Sequence, residues 1–180
     1  MKKALSTIFI LAMMFNVSPC FSAETGTGKF ALDATEKGWD YFNRGDLETA
    51  LKRFHQATIL DPKFAPGYYG KAYVYSFQNK LDLAIENYRK TIELADPPYT
   101  HAYGNLGLAL MMSGKEDEGF QMVQKALEID PNNGEAHISL TNYYCSEKNG
   151  ELAREHLEKA KAIGVQPDPR LIEEMKTECP

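Results

Sequence analysis

Apolar side chains recur along most of this 180-residue chain at helical spacing, and then the whole pattern recurs. From Leu47 onward, Ala50, Leu51, Phe54, Ala57 and Thr58 follow at steps of three and four, which lays one stripe along a helix. Ala50, Phe54 and Ala57 return 34 residues later as Ala84, Tyr88 and Thr91, and 35 residues after that as Gly119, Val123 and Ala126. Self-similarity at such a period predicts helical units that cannot bury their stripes alone and do so by stacking on neighbours.

The punctuation between stripes sets the units. Asp33 with Glu36 three residues later reads as a capping-box start, so a first helix is expected from Asp33 to Arg44, preceded by a flexible segment over residues 23–32. Gly45 supplies a left-handed turn and Asp46 a cap for the next helix, and Asp61-Pro62 stops it because proline disfavours helix in the residue before it. Second, third and fourth hairpins are expected from about Pro66 to Leu94, from Thr100 to Ile129 and from Glu135 to Ile163. Their turns fall near Asn79, Gly114 and Gly150, the last two residues late, which predicts an irregular fourth unit. Asp96-Pro97-Pro98 carries the one extra residue between the second and third. Beyond Gly164, Pro169 suits a first helical turn, and Arg170 to Glu178 reads as a capping helix with Leu171 and Met175 on one side.

The phrases Gly45-Asp46-Leu47-Glu48-Thr49-Ala50-Leu51 to Leu60-Asp61-Pro62, and Tyr103-Gly104-Asn105-Leu106-Gly107 to Ala126-Leu127-Glu128-Ile129-Asp130-Pro131, resemble tetratricopeptide repeats over residues 31–164. The resemblance implies an all-α, right-handed superhelical solenoid of four hairpins, with the capping helix over residues 167–179. It also implies that Gly38, Ala72 and Gly107 face Ala50, Ala84 and Gly119 so that paired helices approach closely. Tyr41, Tyr75, Leu110 and Tyr144 are then expected to fill the gaps toward the next unit. Ala34 and Lys37 stand where bulky apolar residues are usual, so a looser first repeat is expected.

A second apolar row on the first helix of each hairpin is the sharpest functional signal. Tyr69, Tyr73 and Phe77 are spaced i, i+4, i+8, with Tyr68, Ala72 and Tyr75 on the face expected to pack inside the stack. The counterparts are Trp39 and Phe42 before it, Leu108, Met111 and Met112 after it, and then Ile138 with Asn142 and Cys145. In the tetratricopeptide family that face lines a concave groove, so the resemblance implies an aromatic and methionine-lined site for an extended peptide or an amphipathic helix. Family members that clamp a terminal carboxylate use Lys, Asn and Arg there. The matching positions here are Thr35, Trp39, Gly70, His101 and Asn105, and Asn105 alone fits such a clamp.

Lys2 and Lys3, an apolar stretch from Ala4 to Val17, Pro19 and small residues at Ser22 and Ala23 have the layout of a cleaved signal peptide over residues 1–22. Export is therefore expected, with a periplasmic destination. A lipoprotein signal acylated at Cys20 is the alternative, opposed by Pro19 where a small residue is wanted. Removing residues 1–22 takes away two lysines and no acid, which moves the formal charge from -5 to -7. Lys and Arg are scattered among the acids without forming a stripe, so neither nucleic acid nor an anionic membrane surface is an expected partner.

Candidate chemistry is sparse. Glu24 to Phe30 superficially resembles a phosphate loop, yet Ala23 replaces its first glycine and Phe30 its magnesium-binding hydroxyl. His55, His101, His137 and His156 show no metal-ligand spacing, and no nucleophile elbow is present. No catalytic residue, metal or cofactor is expected. Cys145 and Cys179 lie one repeat apart, and a disulfide pinning the capping helix is expected if that helix stacks as the first helix of a fifth unit. A thiol-redox protein using these two residues is a second functional reading, weakened by the lack of Cys-x-x-Cys spacing. The leading expectation is a non-catalytic adaptor or assembly scaffold of the cell envelope, binding a protein or peptide in the groove, with self-association left open.

Overall fold

The computed structural model describes residues 26–167, 169–177 and 179. The described residues form nine helices and no strand: α1 (Gly26–Asn43), α2 (Leu47–Leu60), α3 (Ala65–Phe77), α4 (Leu81–Leu94), α5 (Thr100–Met112), α6 (Glu116–Ile129), α7 (Gly134–Ser146), α8 (Gly150–Ala162) and α9 (Pro169–Thr177). Successive pairs α1/α2 to α7/α8 are antiparallel hairpins, and each hairpin packs on the next. First helices also touch first helices, α1 on α3 and α5 on α7, whereas second helices make no comparable approach to one another. The array is a helical solenoid that bends toward its first helices. Long side chains span the outer gap where the exposed Arg89 on α4 pairs with Glu118 on α6.

The turns obey backbone sterics. Gly45 and Gly114 take φ of +81° and +82°, where a side chain would be strained. Asn79 and Lys148 occupy the equivalent turns at φ of 56° and 57°. The fourth turn is therefore centred on Lys148, in register with the other three, and Gly150 is the first residue of α8 under an Asn149 cap. The irregularity expected from Gly150 is absent because a non-glycine residue has accepted the left-handed conformation. Asp46 caps α2 through Thr49 N–H at 3.0 Å, as expected.

Helix α1 starts at Gly26, not Asp33, so residues 26–32 are helical where a flexible segment was expected. Small side chains explain the extension: Ala31 and Ala34 are fully buried against Ala57 and Phe64, and that packing overrides the weak helix propensity of Gly26 and Gly28. Asp33 consequently lies inside the helix and pairs with Lys37 one turn on, at 2.7 Å. The expected signal peptide over residues 1–22 and the alternative anchor Cys20 lie outside the described residues. Among the described residues no helix is long and apolar enough to cross a membrane.

Close approach takes two forms. The ring of Phe54 is wedged between α1 and α3, so that a Cβ at Gly38 or Gly70 would sit 2.6 or 2.2 Å from it. In the third hairpin Gly107 and Gly119 bring two backbones together, a Cβ on either falling 2.8 or 2.6 Å from the other's carbonyl oxygen. Gly38 thus makes room for Phe54, while Gly107 and Gly119 meet as the repeat pattern implied. At the far end Leu171, Met175 and Cys179 pack with Ala153 and Leu157 of α8 and with Ile138, Tyr144 and Cys145 of α7. Helix α9 therefore takes the place a fifth unit's first helix would occupy.

Candidate functional site

The concave side carries a continuous aromatic ladder. Phe77 meets Phe42 at 5.6 Å between ring centroids, Phe42 meets Tyr73 at 5.2 Å, Tyr73 meets Trp39 at 5.4 Å and Trp39 meets Tyr69 at 6.0 Å. Tyr69 continues it to Tyr99 at 4.8 Å. Most of these contacts are edge-to-face, the arrangement that sets a positive ring edge against a negative face. Much of the row is therefore satisfied within the chain by rings of neighbouring helices.

What remains open is a subset. Tyr73, Phe77 and Met112 are 36%, 65% and 58% exposed, while Tyr69 is 4% exposed and so is removed from the expected contact set. Tyr99, in the linker before α5, covers Tyr69, and Asn105 donates Nδ2–H to its hydroxyl at 2.9 Å. Burial raises the Tyr69 hydroxyl well above its usual range, with Tyr88 and Tyr99 adding to the shift, and it raises Tyr99 to about 12. Both are neutral phenols at any physiological pH. Asn105, the one residue that fitted a carboxylate clamp, thus gives one of its two amide N–H groups to Tyr69.

Two further expected contacts turn away. Met111 packs into the α5/α6 interface, where its side chain lies against Gly119. Ile138 is half-buried and packs against the α8/α9 cluster. Trp39 and Phe42 are half-buried members of the ladder, and Leu108 lines the opening described next.

Between α3 and α5 lies a pocket of about 210 Å³. Tyr73, Phe77, Leu81, Leu108, Ala109 and Met112 form its apolar wall, and Ser76, Tyr88 and Asn105 add the polar atoms. Its cause is local. The α4–α5 linker has five residues where the α2–α3 and α6–α7 linkers have four, and α3 and α5 meet less closely than α1 and α3 or α5 and α7 do. The extra residue was visible in the sequence at Asp96-Pro97-Pro98, but the cavity it opens was not. No charged side chain lines the pocket. Such a lining suits an apolar group.

Two polar pairs on α7 escaped the sequence reading. His101 Nδ1 on α5 lies 3.4 Å from Glu135 Oε2, and His137 on α7 lies 2.9 Å from His156 on α8, Nδ1 to Nδ1. The Glu135 carboxylate accepting from His101 holds that imidazole above its usual value and is itself held below the usual carboxylate value by the same bond. Among the described residues no group of three His, Cys, Asp or Glu is placed to hold a metal. Cys145 and Cys179 share one cluster, both as thiols, and Cys179 is fully buried, which denies an external disulfide access to its sulfur.

A tetratricopeptide repeat family model matches residues 69–134. Hsp70-Hsp90 organizing protein 2 of Arabidopsis thaliana is 28% identical over 141 residues, which is 76% of this chain and 24% of that protein. The chain spans about a quarter of the length of the first curated relatives it matches. Among solved structures it is similar to Pseudomonas aeruginosa PilF, with a TM-score of 0.70 at 23% identity, covering 84% of this chain and 68% of that one. It is similar also to the first repeat domain of Spaghetti (RPAP3) bound to the HSP90 peptide SRMEEVD, with a TM-score of 0.58 at 24% identity, covering 71% of this chain and 94% of that one. At these identities the two structures establish the fold.

Proposed function

The chain belongs to the tetratricopeptide repeat family, and from that premise we propose that it is a non-catalytic adaptor holding a protein partner by an apolar side chain seated between α3 and α5. The observation that carries this reading is the uncharged pocket of about 210 Å³ with Tyr73, Phe77 and Met112 left open at its mouth. Burying one large apolar side chain fully is worth about 1.5–3 kcal/mol. The Spaghetti domain holds a peptide on the same architecture, which supports a peptide or a partner helix as the ligand form.

The partner's anchor is apolar and its flanks need not be acidic. Thr35, Trp39, Gly70, His101 and Asn105 offer no lysine or arginine to a carboxylate, and the pocket wall has none either. The place of work is the cell envelope, on the reading of Lys2, Lys3 and the apolar run from Ala4 to Val17 as an export signal. Affinity capture from an envelope fraction, followed by mass spectrometry, identifies the partner. The double variant Phe77→Ala/Met112→Ala is expected to keep its helical circular dichroism and lose that partner. Equal recovery of the same partner by both proteins would remove the pocket from the account.

A further inference from the structure

Two histidines that are 19 residues apart in the chain meet across the last hairpin. His137 on α7 and His156 on α8 have their Nδ1 atoms 2.9 Å apart, and His137 Nε2 is 3.0 Å from the carbonyl oxygen of Pro131. A carbonyl can only accept, so His137 carries its proton on Nε2 and presents a lone pair at Nδ1. His156 must then carry its proton on Nδ1 and donate it to His137. This assignment is forced by the two distances together, and it leaves only Nε2 of His156 open to a further proton. His137 is buried, the two rings are 5.2 Å apart, and Tyr144 of α7 stacks on His156 at 19° and 5.6 Å.

We propose that this imidazole pair is a proton-sensitive clasp that holds α8 on α7 at neutral pH and releases it in mildly acidic solution. The first proton on the pair leaves one N–H···N bond across the 2.9 Å contact, since His156 can pass its Nδ1 proton to His137 while holding one at Nε2; a second proton sets two N–H bonds head to head and destroys it. A proton added to His156 at Nε2 preserves the bond but places an imidazolium against a buried neutral ring. The surrounding charges are mixed. Lys159 of α8 opposes a charge on either ring, while Asp130 of the α6–α7 linker favours it on His137 and Glu155 of α8 favours it on both. Glu155 is itself paired with Lys159 at 2.6 Å, which blunts both.

Burial is the largest influence on each ring and keeps both below the ordinary 6.5. A base whose folded value is depressed contributes stability that is present above 6.5 and lost as pH falls through the folded value. The other edge of α7 responds with the opposite sign. His101 is held above 6.5 by Glu135, so its contribution is fully present below 6.5 and lost as pH rises through the folded value. Glu135 and His137 are two residues apart at the start of α7, so one acid step tightens α7 on α5 and loosens α8 from α7. The response is directional because the two couples flank a single helix.

Imidazole nitrogen NMR of the purified protein at pH 7.5 tests the tautomers, with His137 expected on Nε2 and His156 on Nδ1. Native-state hydrogen exchange from pH 7.5 to 5.5 then tests the release, with α4 amides of the same molecule serving as the reference for intrinsic exchange chemistry. The ratio of α8 to α4 exchange is expected to rise below pH 6.5, by up to about a hundredfold per pH unit because release frees two imidazoles to take up protons, until the folded pair itself titrates. In His137→Gln/His156→Gln the ratio is expected to stay flat. A flat ratio in the unaltered protein, or both imidazoles protonated on Nε2 at pH 7.5, would overturn the clasp.

Discussion

Single residues decide both the packing and the openness of this solenoid. Phe54 fits only because Gly38 and Gly70 lack side chains, so Gly70→Ala is expected to cost about 1–3 kcal/mol in urea denaturation, the range for overpacking. A loss under about 0.5 kcal/mol would show that the ring moves aside freely. The contrast between Tyr69 and Phe77 marks how far sequence reasoning reached. Both lie on one helical row, and the row itself was legible from spacing. That Tyr69 is covered was not, because its cover, Tyr99, comes from a linker whose path depends on one extra residue. Met111 and Met112 were equally indistinguishable until Gly119 drew the first of them into the α5/α6 interface. The histidine pair was invisible for a related reason, since side chains on opposite arms of a hairpin have no short sequence spacing.

At the scale of helices and turns the repeat pattern was nearly sufficient. It marked all four hairpins, because a 34-residue period and left-handed turn residues act locally on the backbone. It failed where tertiary packing overrides propensity, at the first seven residues of α1, and where a lysine does a glycine's work, at Lys148. Lys148 has φ of 57°, a conformation costing a side-chain residue roughly 1–2 kcal/mol, partly offset in glycine by its greater chain entropy. Lys148→Gly is therefore expected to raise stability by about 0.5–1 kcal/mol in urea denaturation, and a loss would contradict this account of the turn. The last helix tests a second element. Cys145 and Cys179 meet as thiols in the cluster that seats α9, so protein purified and denatured without reductant is expected to titrate with two reactive thiols, leaving apolar packing to attach α9. No titratable thiol in material from an oxidising compartment would contradict this and restore the disulfide expected from the spacing.

As a whole, the described residues form a curved helical array with charged side chains scattered over its surface and an uncharged opening between its second and third hairpins. Binding there by apolar burial should be nearly independent of ionic strength, because salt screens charges and leaves hydrophobic contacts intact. Affinity for the captured partner is expected to change less than about twofold between roughly 0.1 and 0.5 M sodium chloride, and a steep fall would point to the charged surface instead. The most direct test of the central claim places a photo-crosslinking amino acid at Met112, at the pocket mouth, and separately at Leu83, an exposed apolar residue on the second helix α4. The account predicts crosslinks to the partner from position 112 and none from position 83. Crosslinks from position 83 with none from position 112 would contradict it.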